Sequence, residues 1–216
     1  MATTDPIMKA AITTAVSSHR EEGRDRRPPK LRVVTVSGTL NSPSKTDALL
    51  DAIVDSLAQA LRIEVCAVRV SDLGPQLAAA LTQESIGEQL HNALSQIETA
   101  DLLIVASPVY RSSYTGLFKH LFDLIGRHSL VNVPVFLAAT GGSEKHALIL
   151  EHSLRPLFGC FEALTLPIGV YAHGDDFTGG RVTGPDVLKR IDQSISQSVP
   201  LILLRSEERW NAEPGQ

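Results

Sequence analysis

The sequence has little of what several protein classes require. Its 216 residues include two cysteines, Cys66 and Cys160, without the spacing of a zinc module. A disulfide scaffold is therefore not expected, and a reducing, cytoplasmic setting is the default. Lys and Arg number 20 against 24 Asp and Glu, a net charge of −4, which leaves no positive excess for binding nucleic acid. No apolar run approaches the ~20 residues that span a membrane.

Both ends of the chain differ in composition from its body. Residues 1–30 begin with a weakly apolar stretch, continue as a charged run and finish at a pair of prolines. This composition is typical of a solvated extension and is a poor match to a secretory signal. Residues 206–216 are similarly polar. We therefore expect one domain over residues 31–205, between a disordered N-terminal extension and a C-terminal tail.

The body of the chain alternates between apolar strand-like runs and segments with helical periodicity. Several of the runs are apolar throughout, which is typical of strands buried on both faces of a sheet. The alternation predicts an α/β fold, a doubly wound parallel sheet of five strands with helices in layers on either side. We expect strands at 31–36, 63–70, 102–106, 133–139 and 164–171, and helices at 44–61, 84–100, 116–125, 144–158 and 185–204.

A loop rich in small hydroxyl side chains follows the first strand. Gly38 allows a close backbone approach, and the pair Ser44 and Asp47 predicts a capped helix start. A helix N-terminus surrounded by hydroxyls and one lysine suits a phosphate, although an ordinary capped loop has the same composition. Pro43 stands where a P-loop has its second glycine, and no GxGxxG pattern is present.

The third and fourth strands also end in loops of distinctive composition. The third is followed by SPVYRSSYTG, which holds two of the three tyrosines in the chain, and the fourth by TGGS. Taken singly, each loop also fits a plain strand-to-helix turn. Ligands of doubly wound sheets bind beyond the carboxyl ends of the strands. Together the three loops predict a flavodoxin-like three-layer fold that holds FMN, with the phosphate at the first loop and the ring at the later two.

Three segments carry a resemblance to a known family. SGTLNSPSKT, SPVYRSSYTGLFKHLFDLI and ATGGSEKHALILEHSLRPLF resemble the NAD(P)H-dependent FMN reductases, in particular the reductase component of alkanesulfonate and methanesulfonate monooxygenases. The resemblance covers about residues 31–204. It implies that NADH or NADPH donates a hydride to N5 of FMN, with no acid or base side chain required. It also implies release of reduced FMN to a partner monooxygenase, and a homodimer or homotetramer.

The resemblance also implies which residues hold the flavin. Many relatives carry arginine at the position of Asn41, so Lys45 or Arg111 is the expected substitute for that positive charge. The expected phosphate contacts are Thr39, Asn41, Ser44, Lys45 and Thr46, and Ser37 is a further expected FMN contact. The expected ring contacts are Pro108, Val109, Tyr110, Arg111, Thr140, Gly141, Gly142 and Ser143.

His152 has two interpretations. A single histidine in a predicted helix is most often a surface or interface residue. The resemblance instead places it at an inserted residue that widens the helix into a π-bulge, near the flavin and at a subunit interface, where it is linked to flavin release. We expect no metal site, and we interpret His173 to Asp176 as a turn.

Two other functions remain open from the sequence. One is a quinone or azo-dye reductase that keeps FMN tightly bound on the same fold. The other is a flavodoxin-type electron carrier, which the mild net charge disfavours because such carriers are commonly strongly acidic.

Overall fold

The computed structural model describes residues 30–82 and 86–212, so the expected extension over residues 1–30, apart from its last residue, lies outside the described residues. The strands of its parallel sheet are β1 (Leu31–Ser37), β2 (Ile63–Arg69), β3 (Leu102–Pro108), β4 (Pro134–Gly141), β5 (Leu164–Thr165) and β6 (Val170–His173). Their order is β2-β1-β3-β4, followed by a position that the two short strands β5 and β6 share. Both of these strands pair with β4. The doubly wound architecture is confirmed.

Helices cover both faces of the sheet and give the expected three layers. The helices are α1 (Lys45–Ala60), α2 (Val70–Ala79), α3 (Glu88–Glu98), α4 (Gly116–Asp123), α5 (Arg155–Cys160) and α6 (Pro185–Ala212). Two hydrophobic cores lie between the layers, one on each face. Helices α1 and α6 pack on one face, and α2 to α5 pack on the other.

The strand expected over residues 164–171 is interrupted. Pro167 lies between β5 and β6, and proline has no backbone N–H to donate to a neighbouring strand. Side chains of α6 bind the intervening backbone instead: Ser194 Oγ donates to the carbonyl of Ile168 at 2.7 Å, and Arg190 Nε donates to that of Gly169 at 2.7 Å. The edge of the sheet is thus held by the last helix.

Two elements were not predicted. Helix α2 begins directly after β2 and bends at Gly74, whose φ is +37°, next to Pro75. Glycine and proline are typical of turns, so the sequence pattern did not indicate a helix here. A short antiparallel hairpin of β7 (Phe177–Thr178) and β8 (Arg181–Val182) follows β6.

Two other elements have bounds that differ from those expected. Helix α6 continues to Ala212, so residues 206–212, which we expected in the tail, are helical. The expected helix over 144–158 is divided into a 3₁₀ turn (Glu144–His146), a π-helix (Leu150–Leu154) and α5. Cys66 lies on β2, an edge strand, and its side chain is only half-buried.

Candidate functional site

The loops after β1, β3 and β4 meet at one edge of the sheet. These strands are neighbours in the sheet order and parallel, so their carboxyl ends lie side by side. Gly38 N donates to the carbonyl of Ala106 at 2.8 Å, and Val109 N donates to the carbonyl of Thr140 at 2.8 Å. The structure therefore brings together the three loops on which the sequence places the flavin.

The first loop has a buried, hydroxyl-lined wall. Ser44 caps α1 by accepting a hydrogen bond from Thr46 N at 3.1 Å. Thr39 Oγ1 accepts from Asn41 N at 3.3 Å, which tightens the loop. Ser37 Oγ is fully buried, and the described residues offer it no hydrogen-bond partner. Buried polar atoms are normally paired, so this hydroxyl has a hydrogen bond left to give to a ligand.

Gly38 is required by close packing. A Cβ at this position would lie 2.9 Å from Cδ2 of Phe118 and 2.9 Å from Oγ of Ser107. The Gly38 carbonyl accepts a hydrogen bond from Thr115 Oγ1 at 2.8 Å, and Thr115 also caps α4. The absence of a side chain thus lets the β1 loop lie against the β3 loop and the start of α4.

A buried hydroxyl pair joins the phosphate loop to the fourth strand. Thr46 Oγ1 and Thr140 Oγ1 are 2.7 Å apart and both residues are buried. One belongs to the first turn of α1 and the other to the end of β4. This bond fixes the distance between the loop expected to hold the phosphate and the loop expected to hold the ring.

Asn41 and Lys45 are engaged in contacts between loops. Asn41 Nδ2 donates to the hydroxyl of Tyr110 at 3.5 Å, a long bond that crosses from the first loop to the third-strand loop. Lys45 Nζ donates to the carbonyl of Gly174 at 3.0 Å and lies 5.7 Å from the ring centroid of Phe177. Lys45 therefore reaches toward the segment after β6.

The loop after β3 turns sharply. Tyr110 and Ser113 exchange two backbone hydrogen bonds, with N–O distances of 2.8 and 3.1 Å. Between them, Arg111 and Ser112 have φ values of +51° and +65°. Tyr110 and Arg111 are exposed, whereas Pro108 and Val109 are half-buried. The turn thus presents a tyrosine and an arginine at the rim of the edge.

The loop after β4 approaches Tyr171 closely. A Cβ on Gly141 would lie 2.2 Å from the Tyr171 hydroxyl, so only glycine fits there without displacement. The same hydroxyl donates to the carbonyl of Ser143 at 2.6 Å. Gly142 has open space around its Cα. Sequence reasoning missed Tyr171. The available signal was that it is the one tyrosine outside the β3 loop.

His152 lies in the π-helix, and its side chain is exposed. The backbone N–H of Arg155 donates to the carbonyl of Leu150, the five-residue spacing that defines this helix. Glu151 and Arg155 form a bidentate ion pair at 2.6 and 2.9 Å. Hydrogen bonding to Arg155 lowers the pKa of Glu151. The expected widening of the helix at His152 is therefore present.

A cavity of about 450 Å³ lies beside the π-helix. Tyr171 forms part of its wall, together with residues of the segment 144–151 and one residue of α6. The other lining residues are Glu144, Ala147, Leu148, Leu150, Glu151 and Arg190.

The segment from His173 to Asp176 is a capped 3₁₀ turn, in agreement with its interpretation as a turn. His173 N donates to Asp176 Oδ2 at 2.7 Å, and Asp175 N donates to His173 Nδ1 at 3.3 Å. Among the described residues, no group of three or more His, Cys, Asp or Glu side chains is placed to hold a metal ion. Within the same residues, no helix is both long and apolar enough to cross a membrane.

The residues at this edge fit FMN. Hydroxyls at the first loop, including the unpaired Ser37 Oγ, suit a phosphate at the start of a helix. The glycine-containing β4 loop and the rim of the β3 loop leave backbone accessible to a flat ring.

Comparisons with known proteins agree with this fit. The family model described as NADPH-dependent FMN reductase matches residues 31–178. An FMN reductase (NADPH) of Pseudomonas aeruginosa is 48% identical over 176 residues, 82% of this chain and 95% of that protein. An NADH-dependent FMN reductase, SfnF, of Pseudomonas putida is 50% identical over 164 residues, 76% of this chain and 88% of that protein.

Solved structures give the same result. An oxidoreductase from Corynebacterium diphtheriae superposes with a TM-score of 0.71 at 34% identity, over 82% of this chain and 99% of that one. The apo form of the NADH:FMN oxidoreductase EmoB has a TM-score of 0.69 at 26% identity, over 80% and 88% of the two chains. The match to the family model, these relatives and the meeting of the three loops lead to one conclusion: this chain is an oxidoreductase that belongs to the NADPH-dependent FMN reductase family.

Proposed function

We propose that this chain reduces FMN with NADH or NADPH and releases the reduced FMN to an FMN-dependent monooxygenase of the sulfonate or sulfur type. The observation that carries the proposal is the meeting of three loops rich in hydroxyl groups and glycine at one sheet edge, joined by the pair Thr46 and Thr140. Relatives named NADH-dependent FMN reductase, at 47% to 50% identity, support it.

The residues divide into two groups by the part of FMN that they would hold. Ser37, Thr39, Ser44 and Thr46 supply hydroxyls at the start of α1, where free N–H groups and the helix dipole favour a phosphate. Bound FMN supplies the hydride acceptor, so the protein needs no side chain to move a proton. We assign the ring to residues 108–111 and 140–143, which hold it at the sheet edge with one face open to the nicotinamide.

Asn41 and Lys45 have a different part in this proposal. Their side chains connect loops in the free protein, Asn41 to Tyr110 and Lys45 to Gly174. Phosphate would draw the Lys45 ammonium from the Gly174 carbonyl, since an ion pair is stronger than a bond to a neutral acceptor. Both contacts are exposed, so replacing them by contacts with the phosphate costs little free energy.

We further propose that the π-helix with His152 keeps FMN binding weak enough for release. The helix carries one residue more than an α-helical turn needs, and it lies beside the cavity next to the β4 loop. Deleting His152 would let the Arg155 N–H bond at the ordinary four-residue spacing. We expect this deletion to convert loosely held FMN into FMN that stays with the protein through desalting.

The control for that deletion is His152→Ala. This substitution keeps the number of residues, and therefore the π-helix, while it removes the imidazole. We expect His152→Ala to exchange FMN like the wild type. Unchanged FMN affinity and turnover in the deletion variant would contradict the proposed role of the π-helix.

The first test of the function is steady-state oxidation of NADH and NADPH by desalted protein, with and without added FMN, FAD or riboflavin. We expect oxidation to require added FMN and to saturate with it. A protein that stays yellow and reduces quinones or azo dyes without added flavin would replace this function by that of a reductase with tightly bound FMN. Absence of turnover with either nicotinamide would indicate an electron carrier.

The proposal includes a cytoplasmic homodimer or homotetramer. Cys66 and Cys160 are both free thiols, in keeping with a reducing compartment. Leu148, 62% exposed beside the π-helix, is an apolar side chain that a second copy would cover. Light scattering of the purified protein measures the number of subunits directly.

A further inference from the structure

Tyr171 holds the loop after β4 at two points. It stands on β6, paired with Ala139 of β4, on the face of the sheet that carries α2 to α5. Its hydroxyl donates to the carbonyl of Ser143 at 2.6 Å. The same oxygen occupies the space where a side chain on Gly141 would begin. One atom therefore contacts both ends of the segment 141–143.

The fit between Tyr171 and Gly141 is specific. A Cβ on Gly141 would lie 2.2 Å from the hydroxyl oxygen, 3.1 Å from Cζ and 3.3 Å from Cε2. Gly141 does not have a positive φ, so its backbone conformation alone does not require glycine. The tyrosine hydroxyl is what excludes a side chain at this position.

The Tyr171 side chain is partly buried. It packs against the hydrophobic core on its face of the sheet and forms part of the wall of the 450 Å³ cavity beside the π-helix. Burial raises the pKa of its hydroxyl, and the charge of Glu144 raises it further. The hydroxyl is thus a neutral donor at physiological pH, and its hydrogen bond to Ser143 is present throughout that range.

We infer that Tyr171 is a positioning residue for FMN: its hydroxyl fixes the backbone of residues 141–143 in the position that binding of the flavin ring requires. This inference rests on the proposed function, because that function assigns the loop to the ring. Tyr171 acts through Gly141 and Ser143 and need not touch the flavin. Its hydroxyl has no role in proton transfer.

The first variant to test is Tyr171→Phe, which keeps the ring and removes only the hydroxyl. Loss of one hydrogen bond should raise the dissociation constant of FMN by about 2- to 12-fold, measured by quenching of flavin fluorescence in titrations of the full-length protein. The KM for FMN should rise by a similar factor while kcat changes less, because the nicotinamide still reaches the ring. A merely structural role would lower the urea midpoint without this split.

The second test is rescue between two variants. Gly141→Ala alone should weaken FMN binding by about tenfold or more, since the loop must move away from the hydroxyl. In the Tyr171→Phe background the nearest ring atom is 3.1 Å from the new Cβ, so the same alanine should cost much less. Gly159→Ala, on α5 with open space around its Cα, is the matched control for adding a methyl group.

The outcomes separate this inference from the function on which it rests. If the wild type reduces added FMN but Tyr171→Phe binds FMN with an unchanged dissociation constant, the positioning role is wrong and the function stands. Equal effects of Gly141→Ala with and without the Tyr171 hydroxyl would also overturn it. A wild type that does not reduce FMN would overturn both. Urea midpoints of all variants establish that each is folded.

Discussion

The hydroxyl pair of Thr46 and Thr140 allows a quantitative test of how the site is held together. The two oxygens are 2.7 Å apart, and the residues are 1% and 5% exposed. Valine has nearly the shape of threonine, so Thr46→Val or Thr140→Val leaves one buried hydroxyl without its partner. Such an unpaired group costs about 1–3 kcal/mol. When both residues are valine, two apolar groups meet, and the free energy of unfolding should be nearly that of the wild type.

Urea unfolding of the protein without flavin measures this cycle. With a denaturant slope of about 2 kcal/mol per M, each single variant should lose about 0.5–1.5 M in midpoint. The double variant should return close to the wild type, which gives a coupling energy of about 2–6 kcal/mol in magnitude, the sum of the two single losses. A double variant whose loss equals the sum of the two single losses would refute the reasoning. Flavin must be absent because a bound ligand raises the midpoint by itself.

The same double variant separates stability from binding. The proposed function gives these hydroxyls a second task, to contact FMN. If so, the double variant should regain stability but not affinity, and its dissociation constant for FMN should stay well above that of the wild type. Recovery of both quantities would show that the pair serves the fold alone.

Three further predictions concern packing and pH. Gly38→Ala should lower the free energy of unfolding by about 1–3 kcal/mol, because its Cβ would lie 2.9 Å from the buried Phe118 ring; an unchanged urea midpoint would contradict the close packing. Arg155 lowers the pKa of Glu151 from its ordinary 4.5, so this carboxylate contributes stability above pH 4.5 that is lost as the pH falls through the lowered pKa. Glu151→Gln should be the less stable protein at pH 7, by below about 1 kcal/mol for so exposed a pair, and this difference should vanish in acid. Burial raises the pKa of Tyr171 above its ordinary 10.0, so this group has the opposite pH dependence. Its contribution to stability is present below pH 10.0 and is lost as the pH rises through the raised pKa. The free energies of unfolding of the wild type and Tyr171→Phe should therefore converge in that range.

The strands that form the centre of the sheet could be predicted from the sequence because each is apolar on both faces. The runs that became β1, β3 and β4 are buried almost throughout. Elements at the edges were harder to predict, because only one of their faces meets the core or because a glycine or proline interrupts their pattern. Pro167 divides the last strand, and Gly74 with Pro75 hides helix α2. Both interruptions are local breaks of a pattern that otherwise predicts the fold.

The members of the candidate site could be named from the sequence, but the pairs among them could not. Residue type and position at strand ends suffice to place Thr46, Thr140 and Lys45 at one edge. The bonds that arrange them join residues 94 positions apart in the case of the threonines, and 129 apart in the case of Lys45 and Gly174. No periodicity or motif spans such distances, and a single sequence contains no covariation.

Tyr171 shows the same limit from the other side. It lies 28 residues after Ser143, in a strand whose apolar pattern explains it as a core residue. A glycine pair after a strand predicts close approach of some group, and the natural expectation is the ligand. At Gly141 the group that approaches is the protein's own tyrosine, while Gly142 has the open space. The two adjacent glycines therefore have different surroundings, and comparing Gly141→Ala with and without the Tyr171 hydroxyl tests whether the tyrosine is what excludes a side chain at Gly141.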